Sequence, residues 1–90
     1  MNELAERARS LHCQIRETLL NEWDPIGVHD MNEAQDEYDG YIPTIYSFLI
    51  ARKTSNEVLD YLLWLENEHM GLKADRQRTQ HVAEKLLHLV

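Results

Sequence analysis

Leu4, Ala8, Leu11, Ile15 and Leu19 recur at steps of four, three, four and four. Residues spaced in this way lie one above another on a helix, and no alternating strand accommodates them. The start of the chain is therefore read as an amphipathic helix over residues 2–23, whose narrow apolar stripe needs a surface to cover it. Glu6, Arg9, Arg16 and Glu17 lie off that stripe, and Cys13 projects almost opposite it, near Leu20. Trp23-Asp24-Pro25 ends the helix, because a proline disfavours helical geometry in the residue before it.

The rest of the chain offers three more helices and no convincing strand. Residues 25–36 carry Gly27, Asp30 and Asn32 without periodicity and are predicted to form a long loop, with Ile26, Val28 and Met31 as apolar anchors. Tyr38, Tyr41, Ile42, Ile45, Phe48 and Leu49 resume helical spacing over residues 37–51, interrupted by Gly40 and Pro43. Either this helix begins near Ile42, or a first turn at 37–41 leads into a bend; the fit of Tyr38 to the downstream stripe favours the bend. Thr54 to Glu57 matches a capping box. The helix it opens has one stripe of Val58, Tyr61, Leu62, Leu65 and His69 and a second of Leu59, Leu63 and Met70. So wide an apolar arc marks a central element, and Gly71 supplies its stop. Asp75 caps a last helix to about residue 88, with Val82, Leu86 and Leu89 inward and Ala83, Leu87 and Val90 beside them. The expectation is an all-α fold, a small bundle of about four helices forming one domain over residues 1–90.

Charge narrows the function. Sixteen acids against nine bases give a formal charge of −7, and residues 22–39 hold seven acids with no lysine or arginine. Such a field repels phosphate backbones and argues against nucleic acid as the partner, whereas a basic protein surface is attracted. Acidic balance alone also serves solubility, so the local clustering is the more informative observation. Met1-Asn2-Glu3-Leu4 lacks the basic and apolar regions of a signal peptide, and no apolar run reaches membrane-spanning length. With Cys13 as its single cysteine, the chain has no internal disulfide and no multi-cysteine metal site, and a cytoplasmic location with no membrane contact is expected.

Catalytic chemistry finds little support. Glu66 and His69 stand in a Glu-x-x-His spacing that can hold a metal within a helical bundle, but the second copy and the further glutamates of such a site are missing. A makeshift zinc site would have to draw on His29, His81 and His88; the simpler reading is a partly buried His69 satisfied at a helix end. Asp36-Glu37-Tyr38-Asp39-Gly40 concentrates carboxylates, yet lacks the alternation and closing glutamate of a calcium loop. Asp36 and Glu37 suit the positive start of a helix, or a protein-binding surface. Cys13 follows His12, but adjacent helical residues diverge by about 100° and the histidine is not placed to activate the thiol. The three glycines are isolated, so no phosphate-cradling loop is present. No enzyme activity, cofactor or metal is expected.

Trp64 is the most suggestive residue. It falls in the polar arc of its helix among Glu57, Asp60, Asn67 and Glu68, and is either an interface anchor or a ring covered by helix 1 or the long loop. Tyr41 and Tyr46 admit the same two readings.

Trp23-Asp24-Pro25-Ile26-Gly27, Asp36-Glu37-Tyr38-Asp39 with Tyr41 and Pro43, and Glu66, Glu68 and Met70-Gly71-Leu72 together resemble a family of short bacterial all-helical proteins without an assigned activity. The resemblance covers about residues 11–87. It brings no catalytic residues, and it extends to immunity proteins of contact-dependent inhibition and related polymorphic toxin systems. What it implies is a protein that neutralises a toxin domain, and the acidic charge makes a basic nuclease the natural target. On that reading Asp30, Glu33, Asp36, Glu37 and Asp39 supply attraction, and Tyr41 and Trp64 supply apolar contact. The alternative is a stand-alone regulatory or structural protein, made a homodimer by second apolar stripes on helices 1 and 3.

Overall fold

The computed structural model describes residues 3–90 and consists of four helices, with no strand among the described residues. The helices are α1 (Glu3–Thr18), α2 (Ile42–Ile50), α3 (Ser55–Trp64) and α4 (Arg76–Leu87). The molecule measures 44 × 32 × 18 Å, so its thin dimension holds two layers of helices about 10 Å across. None of the helices is long and apolar enough to cross a membrane.

Two of the helices end in widened turns. Over Leu19–Trp23 the chain leaves α1 in a turn that closes when the Asp24 N–H donates to the Leu19 carbonyl five residues back, at 2.7 Å. Over Leu65–His69 the chain leaves α3 in the same manner, with the Met70 N–H reaching the Leu65 carbonyl at 2.8 Å. Each widening changes which residues share a face, because side chains five apart now project together. Asp24 and Gly71 then reverse the chain with φ of 33° and 67°.

The core is the one the periodicity predicts, with informative exceptions. Leu11, Ile15 and Leu19 of the first stripe are buried, whereas Leu4 is 75% exposed. The expected helical position Asn2 lies outside the described residues. Tyr38, Ile42, Ile45 and Leu49 are buried, as are Val58, Leu59, Leu62 and Leu65 of α3 and Val82, Ala83 and Leu86 of α4. Leu63 and Met70, of the second stripe of α3, are partly buried and pack against this core. Thr54 and Asp75 cap α3 and α4, accepting the N–H groups of Glu57 and Arg78 at 3.2 Å each; a cap of this kind contributes about 1 kcal/mol.

Around Pro43 the chain combines both expected geometries. A single tight turn at Asp39–Tyr41 runs directly into α2 at Ile42, and Pro43 sits in the first helical turn, where its missing N–H leaves no hydrogen bond unmade. Asp36 and Glu37 consequently lie upstream of the helix and do not occupy its first turn. Of the three loop anchors only Val28 is buried; Ile26 and Met31 are 41% and 51% exposed.

Candidate protein-binding face

A continuous row of aromatic rings crosses the surface from the start of α2 to the middle of α3. Tyr41 meets His69 edge to face at 5.8 Å, and His69 lies nearly parallel to Trp64 at 6.1 Å. Trp64 is nearly parallel to Tyr61 at 6.4 Å, and Tyr61 meets Phe48 edge to face at 5.4 Å. Tyr41, Phe48 and Tyr61 are half-buried against the core, His69 is exposed, and Trp64 is 52% exposed. Neither α1 nor the long loop covers Trp64. Each ring of the row thus packs beside at least one other aromatic ring.

Carboxylates flank Trp64 in the sequence: Asp60 and Glu68 stand four positions before and after it, Glu57 lies seven before it, and all three are exposed. Burial raises the Tyr41 hydroxyl pKa, and the nearby charge of Glu37 and the hydroxyl of Tyr61 raise it further. Glu37 therefore extends the negative field onto the Tyr41 end of the row.

The seven residues expected to bind a partner separate into groups. Tyr41, Glu37 and Trp64 are brought together through His69. Asp39 is committed elsewhere: Arg16 clasps its carboxylate through both Nε, at 2.8 Å, and a terminal guanidinium nitrogen, which ties α1 to the turn before α2. Asp36 contributes to the field at Arg16 on that side. Asp30 is exposed on the loop, 3.2 Å from His29 Nε2, and Glu33 is exposed nearby. The loop acids thus form a second acidic region, distinct from the aromatic row.

The residues that carried the family resemblance do structural work. Asp24 accepts the N–H of Val28 at 2.7 Å and of His29 at 3.1 Å, the Tyr38 hydroxyl at 2.8 Å and the His29 ring at 2.5 Å. Its burial favours the neutral acid, but these four hydrogen bonds outweigh that and lower its pKa. Tyr38 in turn accepts the Ile26 N–H at 3.2 Å, and burial drives its hydroxyl pKa well up. The long loop is therefore folded around one carboxylate.

Glu66 and His69 do not converge as a ligand pair. Glu66 is 1% exposed and accepts the Trp23 indole N–H and the Thr79 hydroxyl, the latter at 2.7 Å. His69, expected to be partly buried among core residues, is instead turned outward by the widened turn into the aromatic row. Among the described residues no group of three or more histidine, cysteine or acidic side chains is placed to hold a metal ion. Cys13 is exposed, and the His12 ring packs on Tyr46 at 4.8 Å.

The sequence singles out Tyr41 and Trp64 as candidates but not their link through His69. His69, Tyr61 and Phe48 fall on apolar stripes, and nothing in the spacing announces the turn that redirects His69. Comparison with family models, curated proteins and solved structures finds no match to this chain.

Proposed function

We propose that this chain is a protein-binding inhibitor of the immunity type, which neutralises a basic toxin domain, most simply a nuclease, in the bacterial cytoplasm. The observation that carries the reading is the exposed Trp64 ring, packed beside His69 and Tyr61 and bracketed in the sequence by Asp60 and Glu68. A large, exposed aromatic flanked by like charges is what a specific contact with a basic surface requires: charge accelerates encounter, and the ring sets residence time. A standard interface needs about 800 Å² per partner, which is roughly one-seventh of the 5914 Å² surface of this chain. Glu37 and Tyr41 extend the contact on one side, and Asp30, Glu33 and Asp36 steer from the loop. Inhibition on this reading is by occlusion, and the chain needs no catalytic residue, cofactor or metal of its own.

The test is co-purification with the product of the gene immediately upstream, followed by an assay of that product's activity. A stable complex that abolishes activity, weakened by Trp64→Ala and by the double variant Asp36→Asn/Glu37→Gln, supports the reading. No association, with a neighbour that is harmless when expressed alone, overturns it.

A second reading, a stand-alone homodimer, draws on a different surface from the stripes first considered. Leu11, Leu49, Ile50, Leu89 and Val90, together with Arg7, Ser10, Gln14 and Arg52, line a groove of about 440 Å³, in which Ile50 and Val90 are 57% and 45% exposed. Sedimentation equilibrium separates the cases: a dimer dispersed by Ile50→Glu favours this reading, and a monomer removes it.

A further inference from the structure

We propose that the aromatic row selects arginine in its partner, the indole of Trp64 receiving a guanidinium that Asp60 or Glu68 pairs from the side. The inference rests on the protein-binding reading above and specifies the chemistry of the group that docks.

Three observations lead to arginine. First, the row is built from two segments without a basic residue, since residues 17–51 and 54–72 contain no lysine or arginine. Neither segment supplies a lysine or arginine of its own to answer these carboxylates. Second, Trp64 combines an exposed ring with carboxylates four positions away on either side, and Glu37 repeats the combination beside Tyr41. An apolar plug set on this ring would draw Asp60 and Glu68 into a dry rim with their charge unanswered, which is costly. Third, the ring planes of His69 and Tyr61 lie at 22° and 16° to that of Trp64, so the three rings present one common orientation.

An exposed indole with exposed carboxylates four positions away on either side in the sequence suits a planar cation. The guanidinium stacks on the indole face while its N–H fork donates within its own plane to a carboxylate, so both contacts form at once. The ammonium of lysine is a compact, strongly hydrated point charge. It gains the Coulomb attraction but cannot stack and fork together. The distinction is therefore between a surface that reads charge alone and one that reads its shape.

Two tryptophans make the test direct. The Trp23 indole N–H is buried on Glu66, whereas Trp64 is 52% exposed, so nitrogen–proton correlation spectra should give two separate indole signals. The full chain is titrated with a short alanine-based peptide carrying spaced arginines, and with the same peptide carrying lysines. The expected result is that the arginine peptide shifts the Trp64 signal, leaves Trp23 in place, and binds about fivefold more tightly than the lysine peptide. In Trp64→Leu, binding persists through charge and the preference falls to about onefold; in Asp60→Asn/Glu68→Gln both peptides weaken. Equal affinities with equal shifts at Trp64 overturn the arginine selectivity and leave an acidic protein-binding face. Failure of both peptides to move Trp64 overturns the selectivity and that face together.

Discussion

The indole N–H of Trp23 and the carboxylate of Glu66, 43 positions apart, form a buried hydrogen bond that joins the widened turn after α1 to the one after α3. The same carboxylate oxygen accepts the Thr79 hydroxyl of α4, so three elements meet on one acceptor. Polar groups buried at such a point stabilise only when each is satisfied, and removing the shared partner strands the others.

Glu66→Ala should therefore cost about 3 kcal/mol, since it leaves two buried donors and a cavity. A chain of 90 residues has roughly 5–13 kcal/mol in total, so the loss is severe. Glu66→Gln keeps a carbonyl acceptor and should cost about 1 kcal/mol. Urea denaturation measures both, and equal stability of Glu66→Ala and the parent would show that this junction is not a keystone.

The knot around Asp24 predicts opposite losses at the two ends of the pH range. His29 lies between Asp24 and Asp30, and the hydrogen bond to Asp24, aided by the charge of Asp30, raises its pKa above 6.5. A raised folded value means that this stabilisation is complete below 6.5 and lost as pH rises through the folded value. Asp24 is lowered from 3.8, so its contribution is present above that value and disappears as pH falls through the lower one. Urea midpoints of the parent should thus decline on the alkaline side of 6.5. His29→Gln should flatten that decline and reduce, without abolishing, the acid limb, because Asp24 loses the ring contact but keeps the N–H groups of residues 28 and 29 and the Tyr38 hydroxyl. A parent that shows no alkaline decline contradicts the arrangement.

How much of this was legible beforehand depends on the helical period. Ile15, Ile45, Leu62 and Val82 were assigned inward by a 3.6-residue repeat and are fully buried. His69 was assigned inward by the same repeat and is not. In an ordinary helix Trp64 and His69, five apart, diverge by about 140°; the widened turn at Leu65–His69 brings them onto one side, where their rings stack. Leu4 lies on the same stripe as Ile15 and is 75% exposed: periodicity identifies the face of a helix but not how deeply each position on it is buried. The Arg16–Asp39 pair spans 23 positions, and the Trp23–Glu66 bond 43, and neither long-range pairing leaves a local spacing to read.

Arg52 should be a site where glycine improves the fold. Its φ of 55° is left-handed, and it stands just past α2 with its N–H on the Leu49 carbonyl at 3.1 Å and the Lys53 N–H on the Phe48 carbonyl at 3.0 Å. This is the stop that glycine normally fills, because a side chain there crowds the backbone. Arg52→Gly should raise stability by about 1 kcal/mol, read as a higher urea midpoint at unchanged slope. A lower midpoint would mean that the arginine side chain contributes more than its backbone geometry costs.

The two tryptophans should respond to quenchers in opposite ways, and the sign of the quencher reports the field at the proposed face. Trp23 is 1% exposed with its N–H on Glu66, so its emission should be blue-shifted and insensitive to any aqueous quencher. Trp64 is 52% exposed, with Asp60 and Glu68 on either side and no basic residue from 54 to 72. A cationic quencher is concentrated by that field and an anionic one is repelled, and salt suppresses the difference within about a 10 Å screening length at 0.1 M. Caesium should therefore quench the red part of the emission more than its intrinsic efficiency relative to iodide allows, measured against free tryptophan amide. Asp60→Asn/Glu68→Gln should abolish the excess, and Trp64→Ala should remove the quenchable component with a stability change within about 0.5 kcal/mol. Iodide quenching at or above its free-indole ratio would place Trp64 outside an acidic field and remove the electrostatic basis for a basic partner at this face.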